Sequence, residues 1–228
     1  HYPCPCPRPA ADGTLWRPLA GKPAVLVSRL SGTGVEVATP AHCRELGQAL
    51  GRMHRLAQGY ARHLPNPRGA TWREATARRL LPLLDEAQAE QLRSELAYQA
   101  QRDYAALPQG VVHADLFRDN VLWQDGRLSG VLDFYFAGED AWLFDLAVAA
   151  NDWCADAGAE SALLSAYESE RPLTLPEKAA WQAMRRAAAL RFWLSRLDDL
   201  HHPRPGAVVT VKDPAHFSAM LARLRAGC

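Results

Sequence analysis

The stretch His113-Ala114-Asp115-Leu116-Phe117-Arg118-Asp119-Asn120, followed by Val121-Leu122-Trp123, Asp125-Gly126 and Val131-Leu132-Asp133-Phe134, sets out a base, a metal ligand, a turn and a second metal ligand in succession. Asp-Gly between two short β-favouring runs is the strongest short-range signal for a hairpin. With Asp125 and Gly126 as the loop, Gln124 faces Arg127 and Asn120 faces Val131. Strand side chains alternate faces, so this register puts Asp133 on the face of Asn120, one diagonal step of roughly 7 Å or less away. One Mg²⁺ is then within reach of both. Asp115 falls in the loop ahead of the hairpin, where its carboxylate is placed to accept a proton from a hydroxyl attacking a γ-phosphate.

Simpler readings compete with this one at each position. Asp125-Gly126 needs no role beyond the turn. A lone Asp115 or Asp133 reads as a loop residue or a helix cap, but His, Asp, Asn and Asp at these spacings around a hairpin favour chemistry. His113 reads as a hydrogen-bonded packing residue rather than a proton carrier, and Asp145, ahead of Leu146-Ala147-Val148, fits the N-cap of a helix. Arg118 stands where a cation reaches a transferring phosphate, and an exposed arginine fits as well; Asp119 is equally open.

His113-Ala114-Asp115 and Asp133-Phe134-Tyr135 resemble the protein kinase catalytic loop and its metal-binding Asp. Ala in place of Arg after the His, the short link from Asn120 to Asp133 and the downstream Asp145-Leu146-Ala147 are instead similar to the aminoglycoside phosphotransferase superfamily. Adding Asn151-Asp152-Trp153-Cys154 and Arg191-Phe192-Trp193-Leu194-Ser195-Arg196, the blocks together resemble the bacterial homoserine kinases of the phosphotransferase-like type. That resemblance implies an α+β, protein-kinase-like fold: residues 1–30 a remnant of the N-terminal β lobe with its hinge, residues 31–228 the helical catalytic lobe. It implies ATP and Mg²⁺, with Asp115, Asn120 and Asp133 catalytic and Asn120 and Asp133 holding the metal. His113 becomes structural, and Asp145 braces the catalytic loop. It further implies homoserine as acceptor, a place in threonine biosynthesis and a cytoplasmic location.

Composition is that of an ordinary soluble globular protein: 228 residues, 48% hydrophobic and 22% charged. No apolar run approaches the roughly 20 residues that span a bilayer, and no signal peptide precedes the first strand. The formal charge of +1, from 26 basic and 25 acidic residues, gives no field for nucleic acid. Arg78-Arg79 and Arg185-Arg186 read as solvated helix faces. Cys4, Cys6, Cys43, Cys154 and Cys228 are odd in number and scattered, which suits reduced thiols and not zinc.

The elements that must position these residues follow from periodicity. Thr14 to Leu19 and Ala24 to Leu30 read as strands joined by Ala20-Gly21-Lys22-Pro23, broken afterwards by Ser31-Gly32-Thr33-Gly34. In a bilobal kinase that break is the hinge, with the backbone of Ser28, Arg29 and Leu30 on the adenine ring; a plain strand-to-helix loop fits the residues as well. Thr39-Pro40 starts a helix whose buried stripe is Leu46, Leu50, Met53 and Ala57. Thr71 to Leu107 reads as two helices interrupted near Pro82 to Asp85. Beyond the hairpin everything reads as helix: Asp145 to Cys154, Ala159 to Glu170, Pro176 to Leu200 and Pro214 to Arg225, with one loop at His201-His202-Pro203-Arg204-Pro205-Gly206 that carries no metal signal.

The resemblance also demands a strand lysine on the nucleotide phosphates, yet the only lysines are Lys22, in a predicted turn, and Lys178 and Lys212, beyond the hairpin. The expectation is therefore an N-terminally truncated chain, poorly active alone, whose unpaired hairpin from Thr14 to Leu30 promotes self-association. For an amino-acid substrate, Asp152 suits the ammonium; Arg191, with Arg196 second, suits the carboxylate. The two arginines lie about 140° apart around a helix and cannot both face one small ligand squarely. Trp153 and Trp193 read as core flanking the pocket. A kinase of another small alcohol (an aminoglycoside, choline or a sugar) would share the catalytic residues, although aminoglycoside sites crowd carboxylates whereas this region mixes signs. A non-catalytic remnant is the third reading.

Overall fold

The computed structural model describes residues 2–203 and 212–227. His1, Cys228 and the Arg204-Pro205-Gly206 part of the expected late loop lie outside the described residues. The chain folds as an α+β protein in which helices α1 (Pro40–Leu56), α2 (Ala70–Leu80), α3 (Glu86–Ala100), α4 (Trp142–Trp153), α5 (Ala157–Glu170), α6 (Leu175–His201) and α7 (Ala215–Ala226) surround three two-stranded antiparallel sheets. These pair β1 (Arg17–Leu19) with β2 (Lys22–Ala24), β3 (Gln109–Val112) with β6 (Gly138–Ala141), and β4 (Val121–Gln124) with β5 (Arg127–Val131).

Local chemistry starts the helices where expected. Thr39 caps α1 with Pro40 at the first position, and His42 closes the capping box. The stripe holds at Leu46, Leu50 and Met53, whereas Ala57 has become the C-cap and is half-buried. Thr174 and Glu177 form a second capping box on α6. Helix α4 is apolar all round and wholly buried apart from Asn151 and Asp152 at its end, so α1, α5 and α6 pack about it. Among the described residues no helix is long and apolar enough to cross a membrane.

Five expectations need correcting. Strand β6 is absent from the sequence reading, because Gly138-Glu139-Asp140-Ala141 has no β-favouring residue; it is held by its ladder to β3 and by Glu139 N donating to Leu64 O at 2.7 Å. The N-terminal hairpin turns on Ala20-Gly21 alone, both at positive φ, which places Lys22 in β2. The run after Ala24 pairs not with β1 but with the chain start: Arg8 N donates to Leu26 O at 2.8 Å and Ser28 N to Cys6 O at 2.9 Å. Helix α3 ends at Ala100, well short of Leu107. Finally, Arg185 and Arg186 are not solvated; they are half-buried and salt-bridged to Glu160 at 2.7 Å and Glu95 at 2.6 Å. On the N-terminal hairpin Leu15, Trp16, Leu19 and Leu26 stay exposed.

The N-terminal segment is tied to β4–β5. Thr33 exchanges two backbone hydrogen bonds with Trp123, Val131 N donates to Pro3 O at 2.7 Å, and Leu30 packs on Gly130. Helices α1 and α5 touch backbone to backbone at Gly47 and Gly51. A Cβ on Gly47 would collide with the Leu163 carbonyl oxygen. In an exposed helix Gly→Ala gains about 1 kcal/mol. Here Gly47→Ala is expected to cost about 1–3 kcal/mol instead, read as a lowered urea midpoint at unchanged slope.

Candidate functional site

The loop 113–120 is set by one buried carboxylate. Asp145, in the first turn of α4, accepts backbone N–H groups from His113 (2.6 Å, Oδ2) and Ala114 (2.7 Å, Oδ1). It does not cap α4, whose N-cap is Ala141. Burial would raise the Asp145 carboxyl, but the His54 hydrogen bond, the nearby imidazoles and the backbone N–H groups hold it below the usual carboxylate range. Ala114 is forced to φ 63°, an uncommon conformation for a residue with a Cβ. His113 bonds the Leu132 carbonyl through Nε2 at 2.7 Å, packs at a tilt against the Phe134 ring and so joins the loop to the end of β5.

That geometry points Asp115, Asn120 and Asp133 into one neighbourhood. Asn120 Nδ2 donates to the Asp115 backbone carbonyl (2.7 Å) and carboxylate (3.2 Å). Asp133 lies close enough for its charge to act on Asp115. The route differs from the expected register. A bulge between Leu122 and Trp123 pairs Val131 with Val121, so Leu132, not Val131, lies against Asn120. Strict alternation would then separate Asn120 from Asp133. Instead Asn120 sits in a 3₁₀ turn, Arg118–Asn120, and Asp133 takes a left-handed conformation at φ 60°, which Asp tolerates. The Asp133 carboxylate and Asn120 Oδ1 make no hydrogen bond or ion pair among the described residues. Two uncommitted oxygens suit a hard cation such as Mg²⁺.

Arg191 is drawn to Asp115. Its Nη1 stands 3.5 Å from Oδ1, its guanidinium lies 3.8 Å from the Phe192 ring centre and 5.1 Å from that of Phe136, and Nε and Nη2 are buried without partners. Burial pushes this guanidinium down to about 10, against the pull of Asp115. Burial likewise raises the Asp115 carboxyl, and the charges of Arg191 and His113 offset that only in part. A raised carboxyl is a better proton acceptor.

The other residues expected to bind substrate line a cavity of about 270 Å³ beside the loop. Its walls include Phe117, Arg118, Asp152, Arg196 and Phe217. Arg118 is turned onto the end of α4: its backbone N–H (2.8 Å), Nε (3.2 Å) and Nη2 (3.3 Å) all donate to Asp152, and Nη1 donates to the Glu36 carbonyl. Asp119 is exposed and pairs with Lys212 at 2.9 Å. Trp153 is core, and its Nε1 holds the Leu116 carbonyl at 3.0 Å. Ser28, Arg29 and Leu30 lie apart from this cluster: Ser28 bonds Cys6, Leu30 covers Gly130, and Arg29 is exposed. Sequence reasoning missed His54 and Tyr167, whose signal was only a polar residue on a buried helical stripe.

Comparison with known proteins bears on this cluster. The family model described as Phosphotransferase enzyme family matches residues 2–186. The homoserine kinase of Cupriavidus necator is 48% identical over 96% of this chain and 71% of its own length. That of Paraburkholderia xenovorans is 45% identical over 100% of this chain and 74% of its own. Among solved structures, an amicoumacin kinase in complex with AMP-PNP, Ca²⁺ and Ami shares the fold at a TM-score of 0.63, 17% identity, and coverage of 98% of this chain and 71% of that one. A choline/ethanolamine kinase family protein from Mesorhizobium loti does so at 0.62 and 19% identity, covering 89% and 69%.

The strained Ala114 gives a direct check. Ala114→Val is expected to lower stability by about 1–3 kcal/mol, because a β-branched residue resists the left-handed region, whereas Ala114→Gly should unfold at or above the parent's urea midpoint. Equal midpoints for the two variants would remove the strain from the account.

Proposed function

The chain belongs to the phosphotransferase enzyme family, and we propose that its reaction is transfer of the γ-phosphoryl group of ATP to the hydroxyl of L-homoserine. Identity of 45–48% to homoserine kinases over nearly the whole chain carries this reading. The cavity adds a chemical reason: Asp152 and Arg196 offer one negative and one positive group to the two ends of a zwitterion.

In this reading Asp115 accepts the proton of the attacking hydroxyl, with Arg191 holding its Oδ1 side and Asn120 its Oδ2 side. Asn120 and Asp133 would hold Mg²⁺, which when bound neutralises charge on the phosphates. Among the described residues no group of three or more His, Cys, Asp or Glu is arranged for a metal, so the remaining positions fall to phosphate oxygens and water. Arg118 already supplies three donors to Asp152, and the lone pair left on Oδ1 can take the substrate ammonium. Arg196 takes the carboxylate. The order expected from sequence is thereby reversed, since Arg191 is sealed beneath Phe136 and Phe192 while Arg196 lines the cavity. Arg29 and Leu30 keep their assignment to the adenine ring through their backbone, whereas the Ser28 N–H is already given to the Cys6 carbonyl. Threonine biosynthesis in the cytoplasm is the setting that follows from a homoserine acceptor.

The test is ATP consumption across homoserine, serine, choline, a sugar and an aminoglycoside, run on this chain and on a version with an N-terminal β lobe restored. Homoserine is expected to be the strongly preferred acceptor, and preference for another alcohol would move the chain to a different branch of the family. Asp115→Asn should lower kcat by about 10²- to 10⁴-fold with nucleotide affinity nearly unchanged. Arg196→Met should raise KM for homoserine by roughly 10- to 100-fold and leave KM for ATP within about twofold, the signature of a lost charge-assisted contact to one substrate.

A further inference from the structure

Behind Asp145 runs a chain of hydrogen bonds that the phosphoryl-transfer reading does not use. His54 of α1 meets Asp145 Oδ2 through Nε2 at 3.1 Å and the Tyr167 hydroxyl of α5 through Nδ1 at 2.8 Å. Arg171 Nη1 reaches the same hydroxyl at 3.1 Å, and Arg171 Nη2 reaches Glu177 Oε1 at 2.7 Å. Glu177 Oε2 in turn accepts the Thr174 N–H and hydroxyl, both at 2.9 Å. His54, Asp145, Tyr167 and Glu177 are wholly buried, and Arg171 is 7% exposed. Trp142 lies under the Arg171 guanidinium at 4.5 Å and stacks on His54 at 5.9 Å.

The chemistry of each group fixes the direction of the chain. Asp145 is an ionised acceptor, so His54 Nε2 must carry a hydrogen and donate. Burial pushes the His54 imidazole down, which keeps it neutral. Its Nδ1 is therefore a bare acceptor and takes the Tyr167 O–H. The Tyr167 oxygen, having spent its hydrogen, accepts from Arg171. Glu177 holds that guanidinium in place while closing the capping box of α6. From Arg171 through Tyr167 and His54 each hydrogen then points one way, toward the Asp145 carboxylate that the loop carrying Asp115 also donates to. The charged and titratable groups around His54 are Asp145 from α4, Tyr167 and Arg171 from α5 and its end, and Glu177 from α6; His113 and Tyr2 face it only across Asp145.

We propose that Tyr167 is a positioning residue for phosphoryl transfer: its hydroxyl, polarised by Arg171, holds His54 as the Nε2–H tautomer and thereby keeps the Asp145 carboxylate seated under the backbone of His113 and Ala114. The inference rests on Asp115 being the base. Tyr167→Phe keeps the ring and its packing but strands Nδ1 as a buried acceptor with no donor. The imidazole is then free to exchange tautomer, which turns a lone pair toward Asp145, or to take a second proton, which draws the carboxylate away from the two backbone N–H groups. Either state loosens the backbone at His113 and Ala114, whereas the cavity keeps its walls, because its loop residues Phe117 and Arg118 are held separately on Phe192 and Asp152.

The experiment is ¹⁵N NMR of the histidine-labelled full chain alongside steady-state kinetics. In the parent, His54 is expected as a neutral Nε2–H imidazole with a hydrogen-bonded Nδ1 and no titration from about pH 5.5 to 8.5. In Tyr167→Phe its resonances should leave that state, and kcat with homoserine should fall by roughly tenfold while both KM values move less than about twofold. A parent His54 found as Nδ1–H or as imidazolium overturns the proposal whether or not the variant folds, as does a folded Tyr167→Phe with parental kcat. A parent that does not phosphorylate homoserine would overturn the substrate reading alone, since the imidazole spectrum reports on the chain without any substrate.

Discussion

The Asp145 carboxylate, taken wholly out of water, keeps its charge by accepting the backbone N–H groups of His113 and Ala114 and the His54 imidazole, and the conformation of the loop follows from those bonds. An unpaired buried carboxylate would be too costly to keep ionised. The bonds also bear the left-handed strain at Ala114, because two charge-assisted N–H bonds outweigh the roughly 1–2 kcal/mol that such a conformation costs. Asp115, the next residue, inherits its direction from this clamp.

Around the clamp, each device couples an element to the loop. Trp153 at the end of α4 holds the Leu116 carbonyl, Arg118 folds back on Asp152, and Arg191 on α6 closes over Asp115. One helix, α4, thus supplies the brace at its first turn and, through Asp152, part of the cavity wall at its last. Because α4 is buried along most of its length, its two ends cannot move independently by much, and the braced loop and the cavity wall are held in fixed relation.

The division of labour between the two arginines of α6 shows how burial decides function among residues of equal charge. Arg191 sits between two aromatic rings with part of its guanidinium unpaired, an arrangement tolerable because the rings' faces attract a cation and Asp115 lies alongside. Arg196, five residues on, reaches a cavity wall instead. Helical spacing anticipates that they diverge; only packing says which one is spent inside the protein.

The sequence by itself determined the chemistry-bearing loop, the Asp-Gly turn with its Gln124–Arg127 pair, the Thr39 and helix-long apolar signals, and the mixed charges at 152 and 196. These depend on interactions a few residues apart, where residue type and spacing are nearly sufficient. What the tertiary structure decided lies beyond that range. Strand β6 exists because β3 on one side and the segment around Leu64 and Pro65 on the other offer pairing to residues with no strand propensity. The bulge at Leu122–Trp123 coincides with the clamp of Thr33 on Trp123, ninety residues away, and it cancels the alternation argument; left-handed Asp133 restores the meeting with Asn120. Arg185 and Arg186 read as surface until Glu160 and Glu95 arrive from other helices. His54 and Tyr167 carry no local mark beyond a polar residue on a buried stripe, and Arg171 none, because a buried hydrogen-bond chain is defined by which helices pack together, and that is settled by close approaches such as Gly47 on Leu163 rather than by the polar residues themselves.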